Sequence, residues 1–257
     1  PELSFSENDL FAKLSKLKMY RASMPDGMAE ANYFYKNTSI YFNDKITNDD
    51  LEEFAIHECI HYIQEIKDKR NNLVRMGLCN FDNFRILGMG LNEAAVQYMT
   101  SKVIGIEKDY VKYFGISFRT LSPSYYPLEC NLIEQMAYIT GEEFLFDSTM
   151  TSNDKFKNKF IELTSEKAYN NIEYYIDRIL EFEETIIKLT NKFYSYDERN
   201  KKVEKLVKKI DNIKLNINEY FIKAQDIIIK EYFDKAFKNI SNLEELDNYR
   251  KSLEYYK

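Results

Sequence analysis

The sequence has 257 residues, enough to bury a full core as one large domain or two smaller ones. Its 36 Lys and Arg against 42 Asp and Glu leave a net charge of −6, which is no electrostatic footprint for nucleic acid. An aromatic content of 15% excludes a disordered tail, and the scarcity of Gly (7) and Pro (4) points to long helices.

No apolar run approaches the roughly 20 residues of a membrane span. Cys59, Cys79 and Cys130 form no CxxC pair, so neither a disulfide framework nor a cysteine zinc site is expected, and buried free thiols are the plain reading. Such thiols, with no signal peptide, point to a cytoplasmic compartment, although an export segment removed ahead of Pro1 would leave the same start.

There is no internal repeat or low-complexity tract, but composition shifts near residue 150. All Gly and Pro precede it; the remainder is charged and apolar-periodic. The shift divides the chain into 1–150, of mixed strand and helix, and a helical 151–257.

Residues 31–43, "ANYFYKNTSIYFN", hold two aromatic and β-branched runs around Lys36-Asn37 and read as a hairpin. A helix is expected over about 49–68, capped by Thr47 or Asn48, with Asp49, Asp50, Glu52 and Glu53 in its first turns. Another should follow the glycines of "GMGLNEAAVQYMTSKVIG" and stop near Gly105. Residues 110–121 read as strand or irregular, and a further helix should open near Pro127 and end at Gly141.

Beyond 150, Ile172, Tyr175, Ile179, Phe182, Ile186, Leu189 and Phe193 keep 3-4 spacing, and so do Val203, Leu206, Ile210, Ile213, Ile217, Tyr220, Ala224 and Ile227. Two long helices joined by "YSYDERN" would form an antiparallel hairpin, with a tighter coil out to Lys257. The cluster Lys201, Lys202, Lys205, Lys208 and Lys209 reads as a solvated face.

Both histidines of the chain stand in "AIHECIHYIQ", residues 55–64. Residues four apart lie one above the other on a helix, so His57 and His61 present two imidazoles to one point. Glu58, about 100° round the helix, reaches a water held there. HExxH thus supplies two zinc ligands and a base. Chance placement of two histidines with this spacing and a Glu after the first is on the order of one in a thousand.

A third ligand cannot be histidine, and Cys59 points away from the His57/His61 face, so a carboxylate is required. Glu93, in "GLNEAAVQYM", is the candidate, with Glu129 and Glu134 in "YYPLECNLIEQM" as rivals.

HExxH followed by an Asn-Glu-Ala helix resembles the gluzincins, the zinc metallopeptidases typified by thermolysin. The likeness covers roughly residues 31–105. It implies an α+β, mainly α, zincin-like domain over 1–150, with a small N-terminal sheet, the HExxH helix and the Glu-ligand helix. A helical C-terminal subdomain, 151–257, would pack on it. It implies one zinc per chain on His57, His61 and Glu93, with Asn92 and Glu93 matching the start of the second motif.

There are departures. The His-to-Glu spacing exceeds that of thermolysin, and Gln97 stands where an Asp often hydrogen-bonds a zinc histidine. A Gln97 carbonyl can still accept from a ring N–H, as can Gln64. By the same likeness, "TSIYFN" would be the upper rim of the cleft, an edge to which an extended peptide pairs.

The expected chemistry is peptide-bond hydrolysis of a peptide or protein substrate. Glu58 takes a proton from the metal-activated water and passes it to the leaving amine. The oxyanion needs a donor. Tyr126 is preferred, with Tyr125 and Arg119 nearby. A non-peptidase zinc hydrolase remains open, as do two other classes: a catalytically silent zincin-like binding module, disfavoured by the intact Glu58, and a helical interaction protein with an incidental HExxH. Oligomeric state is not legible.

Overall fold

A computed structural model describes residues 6–25, 30–82, 85–194 and 201–256. The fold is α+β and mainly α, with three small sheets. Among the described residues no helix is long and apolar enough to cross a membrane.

Helix α1 (Glu7–Leu14) starts in a capping box between Ser6 and Asp9. The first sheet follows: β1 (Lys18–Ala22), β2 (Ala31–Phe34) and β3 (Ser39–Asn43). The expected 31–43 hairpin is present, with Tyr33 opposite Ile40. However, β1 pairs in parallel with the far side of β3, giving the order β1-β3-β2. The "TSIYFN" segment is therefore the central strand, and the expectation that it forms the rim is corrected: β1 and β2 are the edges.

Helix α2 (Asn48–Gln64) opens at Thr47, whose hydroxyl accepts from the Asp50 N–H. Its end is held from outside. Lys13 Nζ donates to the Ile63 carbonyl at 2.6 Å, and the Ser152 hydroxyl donates to the Gln64 carbonyl. The chain then leaves the helix early, at Glu65, into a four-stranded antiparallel meander: β4 (Glu65–Lys67), β5 (Leu73–Met76), β6 (Cys79–Asp82) and β7 (Arg85–Leu87). This meander occupies the long His61-to-Glu93 interval and returns the chain to α2.

Helix α3 (Met89–Val103) begins without a side-chain cap of its own. Its orphan N–H groups are met from α7 (Glu166–Tyr194), where the Asp177 carboxylate accepts from Gly88 N–H at 2.9 Å and Gly90 N–H at 2.8 Å. A Cβ on Gly90 would lie 2.8 Å from the Ile176 carbonyl oxygen, so the glycine sets how closely α3 and α7 approach.

A β8 (Asp109–Tyr113) and β9 (Ile116–Thr120) hairpin leads to α4 (Pro127–Thr140), then α5 (Glu142–Thr151) and α6 (Lys155–Leu163). Helices α7 and α8 (Lys201–Ile228) make the long hairpin, with Tyr220 stacked between Tyr175 and Phe182. Its expected connection, "YSYDERN", lies almost wholly outside the described residues. After a π-helical turn (Ile229–Phe233) and α9 (Asp234–Lys238), α10 (Leu243–Tyr256) turns back. There the Tyr249 hydroxyl donates to the Phe233 carbonyl.

The largest core joins α3, α4, α6, α7 and α8 through Leu91, Tyr98, Leu132, Phe156, Ile176 and Ile217, and it crosses residue 150 without a break. Lys205, Lys208 and Lys209 are exposed, as a solvated face requires, and the side chains of Lys201 and Lys202 lie outside the described ones. All three cysteines are free, with Cys59 half-buried in the small core between α2 and the first sheet.

Candidate metal centre

Helix α2 turns His57 and His61 toward α3, which places Glu93 opposite them, while Glu58 reaches β2. The two imidazole Nε2 atoms are 3.0 Å apart. Glu93 Oε2 lies 3.3 Å from His57 Nε2, and Glu93 Oε1 lies 3.4 Å from His61 Nε2. Four-coordinate zinc with bonds of about 2.0–2.1 Å spaces its ligand atoms about 3.3 Å apart. The two imidazoles are near that spacing and each has a different Glu93 oxygen beside it, while one ligand atom from each of the three residues lies within 4.8 Å of the others. Among the described residues, this is the one group of three or more His, Cys, Asp or Glu that could hold a metal ion.

The electrostatics agree with a cation-binding centre. Burial alone would lower the His61 pKa, but the Glu93 carboxylate outweighs it and holds the imidazole up at about 9. Burial would raise Glu93, yet the two imidazoles hold it well below the usual carboxylate range. The arrangement thus attracts positive charge at the point where the three ligand atoms meet.

Both rings are braced from behind. His57 Nδ1 is 2.9 Å from Gln97 Oε1, and His61 Nδ1 is 3.3 Å from Gln64 Oε1. Gln97 therefore stands where the sequence suggested, and Gln64 serves the other ring. Neither residue is ordinary packing.

Glu58 is buried beside the centre, and its Oε2 accepts a 2.6 Å hydrogen bond from the Tyr33 backbone N–H. Tyr33 is itself fixed: its hydroxyl donates to Glu65 at 2.6 Å and its ring packs on Tyr62. The edge strand β2 is thereby attached to α2 through this carboxylate.

Tyr126 occupies the N-cap of α4 in a left-handed conformation, φ 50°. Its ring lies over His57, 6.3 Å between centroids with the planes 25° apart. Glu93, then burial and the further carboxylates Glu129, Glu58 and Glu183, raise the phenol's pKa well above its ordinary value, so the group remains a donor.

The other candidates point elsewhere. Tyr125 packs edge-on against Phe54, Arg119 is exposed on β9, and Glu134 pairs with Lys108. Glu129 is fully buried but faces Glu183 of α7.

Three participants escaped the sequence reading. The Tyr33 N–H has no side-chain signature, and the Glu129–Glu183 approach spans two distant helices. Glu53 counted only as an acidic residue of the first turns, although it stands four residues before His57 on the same helix face. Its carboxylate accepts from Gln97 Nε2 at 2.6 Å.

The chain matches no family model, no curated protein and no solved structure.

Proposed function

We propose that this chain is a zinc-dependent metallopeptidase with a gluzincin-type site on a zincin-like domain, hydrolysing peptide bonds in a peptide or protein substrate. The observation that carries the reading is the convergence of His57 Nε2, His61 Nε2 and Glu93 at 3.0–3.4 Å around one point, with Glu58 beside it. Three ligands leave a fourth position open, the arrangement of catalytic rather than structural zinc.

Zinc held there supplies a Lewis acid for the scissile carbonyl and lowers the pKa of a water. Glu58 receives the proton from the attacking water and delivers it to the leaving amine nitrogen as the C–N bond breaks. One oxygen of Glu58 already accepts from Tyr33, but a carboxylate offers about four lone-pair sites, so the base function is compatible with that bond. The Tyr126 hydroxyl donates to the oxygen that gains charge. The substrate lies extended along β2, the sheet edge nearest Glu58.

Glu58→Gln tests this reading. The variant should keep its metal and its fold while cleavage of a peptide library falls by about 10²–10⁴. Cleavage at the unchanged rate contradicts the mechanism.

A further inference from the structure

A glutamine amide has a donor end and an acceptor end. A neighbour that can only accept, or only donate, fixes which way it points. Behind His57 that neighbour is the Glu53 carboxylate, which only accepts. Gln97 must turn Nε2 toward it, at 2.6 Å, and so presents Oε1 to His57 Nδ1, at 2.9 Å. A carbonyl oxygen cannot donate, so Nδ1 carries the hydrogen and the lone pair is left on Nε2.

Behind His61 the same logic runs from the opposite end. The Leu78 backbone N–H only donates, and it donates to Asn92 Oδ1 at 3.0 Å. Asn92 then accepts from Gln64 Nε2 and donates Nδ2 to Gln64 Oε1, both at 3.3 Å. Gln64 Oε1 faces His61 Nδ1, so the ring that has given up its second proton again keeps its lone pair on Nε2. Gln64 and Asn92 are almost completely buried, so water does not substitute for these contacts.

We infer that Glu53 and Asn92 are positioning residues, which set the tautomers of His57 and His61 through the amides of Gln97 and Gln64 and so direct both Nε2 lone pairs at the metal. This inference rests on the metal-site reading above. It adds that the carboxylate supporting His57 acts one step removed, through a neutral amide that it polarises.

The chain's two histidines make the test clean. In protein labelled with ¹⁵N-histidine and loaded with zinc, long-range proton–nitrogen correlation should place the ring hydrogen on Nδ1 in both rings. A hydrogen on Nε2 of either ring overturns the inference.

Zinc affinity gives the second readout. Glu53→Gln, whose amide can face either way, should weaken zinc roughly tenfold or more. The exchange Glu53→Gln with Gln97→Glu puts the carboxylate directly on His57 and should restore affinity to at least the starting value. A purely structural role for Glu53 would leave the exchanged protein no tighter than Glu53→Gln, and that result, or unchanged affinity in Glu53→Gln, contradicts the relay.

If the unaltered protein takes up no zinc, the metal reading fails by itself. The ring spectra of metal-free protein then decide the relay: a hydrogen on Nδ1 of both rings, facing Gln97 and Gln64, upholds it, and a bare Nδ1 in either ring overturns it.

Discussion

Glu183→Gln addresses the two buried carboxyls that join α4 to the hairpin. Glu129 is fully buried and Glu183 is 9% exposed. Among the described residues, neither oxygen of Glu129 nor Oε1 of Glu183 has a hydrogen-bond partner. Burial pushes Glu183 up to about 7, from 4.5 for a free glutamate, while burial and the Glu183 charge raise Glu129 well above that value. Across the window from 4.5 to about 7, the folded chain keeps a proton that the unfolded chain has released. Stability therefore falls as pH rises through that window. Because the two carboxyls face each other, the displaced proton belongs to the pair, and the loss is up to about 1.4 kcal/mol per pH unit across the window.

Glutamine has no proton to release, and its amide donates to the facing Glu129. The variant should therefore show a flatter stability–pH curve and exceed the parent above neutrality. Urea unfolding between about pH 5 and 8 reads the difference, and contributions common to both proteins cancel. Parallel curves would refute the reasoning, since they would mean that removing the Glu183 carboxyl leaves the pair's proton uptake on folding unchanged.

Three further outcomes follow from the site and its supports. Gly90→Ala, which drives a Cβ to 2.8 Å from the Ile176 carbonyl, should destabilise by about 1–3 kcal/mol in a denaturation midpoint measurement. Tyr126→Phe should lower kcat by about 10²–10³ with zinc content unchanged, as expected for one oxyanion donor. Zinc must displace the proton that Glu93 holds on His61, so apparent affinity should rise roughly tenfold per pH unit up to about 9 and then level off, as competition titration with a chelator would show.

What the sequence disclosed were features set by local geometry. His57 and His61 needed only helical spacing, whereas Glu93 stood beside Glu129 and Glu134 as a candidate, and the resemblance of its Asn-Glu-Ala helix to a known motif is what favoured it. The hairpin helices were visible because their apolar stripe repeats over many turns. Helix α4 was marked at both ends by Pro127 and Gly141.

Features that depend on distant pairing were not visible. Nothing near 39–43 announces that 18–22 will lie parallel to it and cover its edge. Strands β4 to β7 have three or four residues each, too few for an alternation to stand out, and β4 took the end of what read as a longer α2. Asp177 caps α3 from almost ninety residues away, a contact made only once the core has formed. The amide relays are similar: Glu53, Gln64 and Gln97 are ordinary helix residues until α2 and α3 face each other.

The central claim is that His57, His61 and Glu93 together hold a catalytic zinc, and elemental analysis tests it most directly. Protein purified without chelator or added metal should carry about one zinc per chain, and a Glu93→Ala partner should carry little or none. No zinc in the unaltered protein, even after zinc is offered back, would contradict the account, and so would full occupancy in the Glu93→Ala partner.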